Sequence, residues 1–194
     1  VLRAAQIVVD EHIARPTLIG RPTVIAERLE KFGLRLKEGQ DYDVVNVEND
    51  HRYRDFWQTY HRMTERKGIT VPMAKIEMRR RLALIGAMLL HKGEVDGLIA
   101  GTWGHTALHL NYIDQVIGKR AGVGTYACMN GLMLPDRQVF LVDTHVNYDP
   151  TAEQLAEITV MAAEEMMRFG IKPKAALLSH SNFGSSNQPS AVKM

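Results

Sequence analysis

The sequence predicts an α/β architecture built on parallel sheets and divided into two lobes. Three observations carry this. Short apolar runs such as Thr17–Ile19, Leu98–Ala100 and Ala175–Leu178 alternate with longer stretches of helical periodicity. Gly and Pro punctuate nearly every junction. Gly122 and Gly124 interrupt the alternation, marking a first lobe at residues 1–121 and a second at 122–194.

The elements follow in order. Leu2, Ala5, Ile7, Val8 and Val9 predict a helix over residues 1–14, stopped by Pro16. Thr17-Leu18-Ile19 reads as a buried strand before Gly20. A helix begins at Pro22, carries Ile25, Leu29 and Phe32 as its stripe, and ends at Gly33. Asp43 to Val47 is strand-like. His51 to Lys67 predicts a long helix, with Phe56, Trp57 and Tyr60 at helical spacing and Gly68 closing it. Pro72 starts a helix that continues from Met73 to Lys92. Leu98-Ile99-Ala100 is the next buried strand, and His105 to Ile117 a helix ended by Gly118.

Beyond the glycine joint, Tyr126 to Leu134 is apolar, Pro135-Asp136 turns, and Val139 to Val142 is a strand. Thr151 to Phe169 is the clearest helix. Asp149 is its expected N-cap and Pro150 its first residue, with Leu155, Ile158, Ala162, Met166 and Phe169 on one face. Met161, Met166 and Met167 are expected as core or interface packing. Ala175 to Leu178 is the last expected strand.

Composition narrows the classes. Hydrophobic residues are 45% and charged residues 24% of the chain, a globular balance. A chain this long buries roughly 70% of its unfolded surface. Lys plus Arg is 24 against 22 Asp plus Glu, so no nucleic-acid partner is expected. The strongest apolar run, Leu82 to Leu90, falls far short of the ~20 residues of a membrane span. One cysteine, Cys128, excludes an internal disulfide and points to a reducing, cytoplasmic setting. Cys128 itself is expected as a small buried hydrophobe. The chain starts without Met, and helix-like text at both ends suggests a segment of a longer protein.

Parallel sheets bind ligands outside the carboxyl ends of their strands. Three loops qualify. The first is Gly101-Thr102-Trp103-Gly104-His105. The second runs from Asp143 through Thr144, His145 and Asn147 to Asp149. The third, Ser179 to Ser186, brings four serines, Asn182 and Gly184 after an apolar strand. Its hydroxyl and backbone donors suit a phosphate, carboxylate or acyl oxygen, and the same residues equally suit a surface turn. Asn147 and Thr144 could serve only the turn. His105 and His109 share a helix face, yet no third metal ligand is evident. Arg79-Arg80-Arg81 span over half a helical turn and read as a solvated or ion-paired face. No G-x-x-x-x-G-K-[ST], G-x-G-x-x-G or G-x-S-x-G run occurs.

The run Asp143 to Ile158, with Val-Asn-x-Asp-Pro-Thr-Ala-Glu-Gln-Leu-Ala at its centre, resembles the phosphate acetyl/butyryltransferase family. Residues 177–186, Leu-Leu-Ser-His-Ser-Asn-Phe-Gly-Ser-Ser, resemble that family's serine-rich substrate loop. Here His180-Ser181-Asn182 stands where transferases usually carry Phe-Ser-Thr. With Tyr53 to Tyr60 and Gly101 to Gly104, this variant is similar to the phosphotransacetylase-like C-terminal domain of bacterial NADP-dependent malic enzymes.

That resemblance implies two α/β lobes around a cleft, akin to isocitrate and isopropylmalate dehydrogenases. It implies acetyl-CoA as an allosteric effector, homo-oligomer assembly, and a separate malic domain using NADP and a divalent Mg or Mn ion. Thr102, Asn147, Ser181, Asn182, Gly184 and Ser185 would then line the effector cleft. His105, Thr144, Ser179 and Ser186 are further candidates for acetyl-CoA or phosphate. The alternative implied is a working transferase interconverting acetyl-CoA and acetyl phosphate. The family's Ser-Arg pair and catalytic Asp, expected further along, do not occur in this stretch. No residue here is therefore assigned as catalytic.

Overall fold

The computed structural model describes residues 1–182 and 184–194. The chain is mixed α/β and divides into two compact units, Val1–Gly118 and Lys119–Met194.

The first unit is organised by its most apolar helix. Eight elements make it up: α1 (Leu2–Asp10), β1 (Thr17–Ile19), α2 (Pro22–Lys31), β2 (Asp43–Val45), α3 (Tyr53–Thr64), α4 (Val71–Arg80), α5 (Leu82–His91) and α6 (Thr106–Val116). Every residue of α5 from Ala83 to Leu89 is buried. A helix apolar on all sides must be surrounded, and α3, α4, α6 and β1 pack against it. Phe56 and Tyr60 of α3, Ala74 and Met78 of α4, and Tyr112 and Val116 of α6 complete this core. A smaller cluster joins Ala5, Leu29, Leu36 and Tyr42.

Here β1 and β2 pair in parallel, Thr17 opposite Asp43 and Ile19 opposite Val45. A short 3-10 turn, Glu65–Lys67, follows α3 and ends at Gly68, whose φ of 89° is readily reached only by glycine. The expected Phe56–Trp57–Tyr60 packing is present: Phe56 and Tyr60 are buried, and Trp57 lies against the core.

Several expectations are corrected in this unit. The continuous helix from Met73 to Lys92 breaks at Arg81, which is extended at φ −110°, ψ 96°. The break separates one-sided α4, burying only Ala74 and Met78, from the fully enclosed α5. Arg81 stays tied to α4 by donating from Nε to Glu77 at 3.3 Å. Arg79 stacks over Tyr53 and donates to the Glu48 carbonyl, so Arg79 and Arg81 are engaged separately. Phe32 projects from the end of α2 and is 41% exposed, taking Arg3 over its ring instead of joining the core stripe. Leu98–Ala100 forms no strand, because no backbone among the described residues pairs with it.

The second unit has a different plan. A hairpin of β3 (Met129–Met133) and β4 (Gln138–Val142) is antiparallel, with Met129 opposite Val142 and Met133 opposite Gln138. Pro135 and Asp136 form the tip, closed by Leu134 N donating to Arg137 O at 2.9 Å. The long helix α7 (Ala152–Arg168) contacts β4, and α8 (Pro189–Val192) is a single turn. The parallel pairing expected here is replaced by a hairpin because a short turn, not a crossover helix, joins the strands.

Three further expectations change. Thr151, not Asp149, is the N-cap of α7, forming a capping box with Gln154. The Thr151 hydroxyl accepts from Gln154 N at 3.2 Å, and Thr151 N donates back to the Gln154 side chain at 2.8 Å. Asp149 instead meets Lys193. Of α7 only Ile158 is buried, while Met167 and Phe169 are 57% and 66% exposed. Ala175–Leu178 forms no strand, again for want of a paired backbone among the described residues. No helix among the described residues is long and apolar enough to cross a membrane.

The core predicts its own sensitivity. Leu84 is fully buried, so Leu84→Ala should destabilise the first unit by about 2–5 kcal/mol. Denaturant unfolding followed by tryptophan fluorescence measures this; a loss under ~0.5 kcal/mol would contradict the packing described.

Candidate functional site

The expected site residues lie in both units, and each group is described within its own. In the first unit, Thr102 sits in the exposed loop before α6 with φ 66°, a left-handed backbone uncommon for threonine. Trp103 beside it is 86% exposed. His105 occupies the N-cap position of α6 and is exposed, and its carbonyl accepts from Leu108 N at 3.0 Å. His109 holds this loop down, its Nε2 lying 2.9 Å from the Trp103 carbonyl. A carbonyl only accepts, so Nε2 carries a proton, and the buried Nδ1 has no hydrogen-bond partner among the described residues. Among the described residues no group of three or more His, Cys, Asp or Glu could hold a metal ion.

In the second unit, the turn after β4 is built around Asp143. Its carboxylate accepts from Cys128 N at 2.9 Å, Val146 N at 3.2 Å, Asn147 N at 2.8 Å and Asn147 Nδ2 at 2.5 Å. Burial alone would raise the Asp143 pKa. The Asn147 side chain, with the backbone donors of Asn147, Cys128 and Val146, outweighs that and lowers it.

Asn147 also donates to Tyr126 O at 2.7 Å. Both protons of its amide are thus committed, and only Oδ1 remains for a ligand, as an acceptor. Thr144 is exposed, with its hydroxyl between Asn130, the Cys128 sulfur at 3.4 Å and His145 Nδ1 at 3.0 Å. Cys128 is therefore half-buried in a polar setting and not the enclosed hydrophobe expected. Sequence reasoning did not single out Asp143, although an Asp ahead of free backbone N–H groups is the signal of such a turn.

The serine loop is folded upon itself. Ser181 N donates to Ser179 Oγ at 3.1 Å, Asn182 N to Ser185 Oγ at 2.9 Å, and Ser186 N to Ser181 Oγ at 3.1 Å. Ser185 N returns to Asn182 O at 3.3 Å, with Gly184 at φ 87° in this turn. Phe183 lies outside the described residues. Ser181 Oγ and Ser185 Oγ are 3.4 Å apart. Only one hydroxyl can donate across that contact, so one proton of the pair is without an acceptor among the described residues. His180 Nε2 stands 3.1 Å from Ser186 Oγ, a pairing the sequence did not suggest. Ser179, Ser181, Asn182, Gly184, Ser185 and Ser186 thus come together as one cluster, while Thr144 and Asn147 belong to the Asp143 turn.

Comparison with known proteins places this arrangement. The family described as phosphate acetyl/butaryl transferase matches residues 1–194, and the chain belongs to it. Within that family it is similar to malic enzymes. It is 50% identical over 194 residues to the NADP-dependent malic enzyme of Salmonella typhimurium, spanning all of this chain and 26% of that one. The NADP-dependent malic enzyme of Escherichia coli is 47% identical over the same length. The phosphate acetyltransferase of Corynebacterium glutamicum is 32% identical over 181 residues, covering 93% of this chain and 54% of that one. A solved phosphotransacetylase from Streptococcus pyogenes superposes with TM-score 0.86 at 28% identity, over 100% of this chain and 58% of that chain. The chain spans about a quarter of the length of the malic enzymes it matches.

The Asp143 turn gives a pH prediction. A lowered carboxyl pKa contributes stability above the ordinary value of ~4, lost as pH falls through the depressed value. The Asn147 amide resonance should therefore hold through pH ~4 and shift only below it. Asp143→Asn should cost about 1–3 kcal/mol at neutral pH. An Asn147 shift centred on the ordinary carboxylate range would contradict the turn described.

Proposed function

We infer that this chain is the phosphotransacetylase-like region of a malic enzyme and that it binds acetyl-CoA as a regulatory ligand. The observation carrying this is the gradient of similarity. Identity is 47–50% to NADP-dependent malic enzymes over the whole chain, against 31–32% to phosphate acetyltransferases. In this reading the whole protein oxidatively decarboxylates malate to pyruvate with NADP and a divalent metal held in its other part. It works in the cytoplasm as a homo-oligomer. The two units form the lobes of an architecture akin to isocitrate and isopropylmalate dehydrogenases.

Acetyl-CoA fits the chemistry of the serine cluster. A thioester carbonyl or a phosphate oxygen accepts hydrogen bonds, and the Ser181–Ser185 pair keeps one hydroxyl proton to donate. Thr102 and Thr144 are exposed hydroxyls of the same kind. Asn147 supports its turn and offers a carbonyl oxygen. Regulation follows when acetyl-CoA binds two states of the assembly with unequal affinity.

The second reading is an active phosphate acetyltransferase, favoured by the fold shared with the Streptococcus pyogenes phosphotransacetylase. A phosphate oxygen would attack the acetyl-CoA carbonyl, donors would stabilise the oxyanion, and cleavage of the C–S bond would release CoA and leave acetyl phosphate.

The deciding assay follows malate-dependent NADPH formation by the full-length protein while acetyl-CoA is titrated, with phosphate-dependent CoA release measured in parallel. The expected result is an acetyl-CoA effect on malate oxidation without CoA release. In a Ser181→Phe/Ser185→Phe double variant the effect should fall at least ~10-fold in acetyl-CoA sensitivity, as expected for the loss of ~1.4 kcal/mol of binding. Malate oxidation without acetyl-CoA should persist. Robust CoA release would establish the transferase instead.

A further inference from the structure

The two tryptophans of the chain are placed in opposite ways. Trp57 lies against the core of the first unit, with Lys75 Nζ 4.7 Å from its ring centre. Trp103 is 86% exposed, and among the described residues no cation stands over its ring. Tryptophan is highly buried on average, so a free indole calls for an explanation. Tyr148 is as exposed, but its hydroxyl tip suits water.

The backbone that carries Trp103 is built, not slack. Its φ is 145° at Gly101, 66° at Thr102 and 94° at Gly104. Glycine takes such angles without steric cost, whereas a β-branched threonine is strained there. Strain of this kind persists where neighbours hold it, and it gathers at ligand clamps. The hold here is His109, in the first turn of α6, whose Nε2 donates to the Trp103 carbonyl at 2.9 Å. The peptide at Trp103 is thus tied down while its ring stays free. A Cβ on Gly101 would meet nothing within 4 Å, so the loop is open on that side. From Gly101 to Ala107 Trp103 is the sole large apolar side chain, and Thr102 and His105 beside it are polar and exposed. A docking face for an apolar protein surface needs a contiguous patch. A single ring with a polar rim suits a ligand that is flat, aromatic and polar at its edges.

We propose that Trp103 is a stacking platform for the adenine ring at the nucleotide end of acetyl-CoA. Indole and purine faces attract by dispersion and exclude water from each other, and every base offers such a face. The fixed Trp103 carbonyl keeps the platform in place without spending the ring on a protein contact. The proposal rests on the acetyl-CoA reading above and adds the side chain that recognises the base.

Two measurements on the full-length protein test it. The first is acetyl-CoA affinity by calorimetry. Trp103→Ala should weaken binding ~5–150-fold, the range of one base stacked on an aromatic side chain, and Trp103→Phe should recover most of that loss. Equal affinity in wild type and Trp103→Ala would overturn the proposal. The second uses wild-type protein and does not depend on how the variants fold. An azidoadenine form of adenosine bisphosphate, which has the nucleotide end without the thioester, is photo-cross-linked and the labelled peptide mapped. Label at Trp103 that unmodified adenosine bisphosphate competes away is expected. Label confined to other segments, or none, would overturn the proposal. The two readings also separate. Labelling of Trp103 with malate oxidation indifferent to acetyl-CoA upholds the platform and removes the regulatory role. An acetyl-CoA effect of equal potency in wild type and Trp103→Ala upholds regulation and removes the platform.

Discussion

The burial of α5 is the constraint on which the first unit depends. Seven consecutive residues, Ala83 to Leu89, cannot be hidden by one neighbour, so the surrounding elements exist as a shell around them. Polar groups drawn into that shell are paired. Tyr112 donates to Glu77, which Arg81 also reaches from the α4–α5 break. Tyr60 donates to Gln115 at 2.6 Å, and burial pushes its own pKa up to about 12, with the Glu77 charge adding to the shift. Both phenols therefore stay protonated as donors. At the far end of α5, Arg52 binds Asp50 and Glu94, each at 2.7 Å, and ties the loop after β2 to the helix end. Removing one partner of such a pair costs more than the pair contributes, because the other charge is left uncompensated.

The second unit rests on polar connections instead. Among its described residues only Thr125 and Ile158 are buried. Asp143 gathers four donors from two segments, and Glu157 of α7 accepts from Gly124 N at 2.7 Å. These bonds set local geometry, but little apolar area is removed from water to support them. Order in this unit is local, turn by turn and cap by cap.

What the sequence showed follows from the range of the interactions involved. Helices α2, α3, α6 and α7 were legible because periodicity and end signals such as Pro22, Gly68 and Gly118 are written within a dozen residues. The strands at Thr17–Ile19 and Val139–Val142 were legible from short apolar runs. Leu98–Ala100 and Ala175–Leu178 have the same composition, yet a strand also needs a partner backbone, which composition does not encode. The break at Arg81 was hidden because it depends on how α5 must turn into the core. The N-cap of α7 was misplaced by two residues because Asp149-Pro150 imitates a helix start, while the Thr151–Gln154 reciprocal pair is the stronger one. The serine cluster was visible as composition. Its internal bonding was not, nor was Asp143 as the organiser of Asn147.

That internal bonding bears on what the loop can do. A catalyst for acyl transfer needs donors fixed on the place where negative charge develops, unspent until the transition state. In the loop from Ser179 to Ser186 the backbone N–H groups of Ser181, Asn182 and Ser186 are already donated to serine oxygens. One hydroxyl proton of the Ser181–Ser185 pair remains, and residues 179–186 contain no lysine or arginine to balance a phosphate. Such a surface can recognise an acceptor oxygen by one or two hydrogen bonds. It brings little stabilisation to an oxyanion, unless partners beyond this loop add donors. Recognition without charge stabilisation is sufficient for an effector, which needs only a difference in affinity between two states. His180 Nε2 stands 3.1 Å from Ser186 Oγ and helps hold the loop closed on itself.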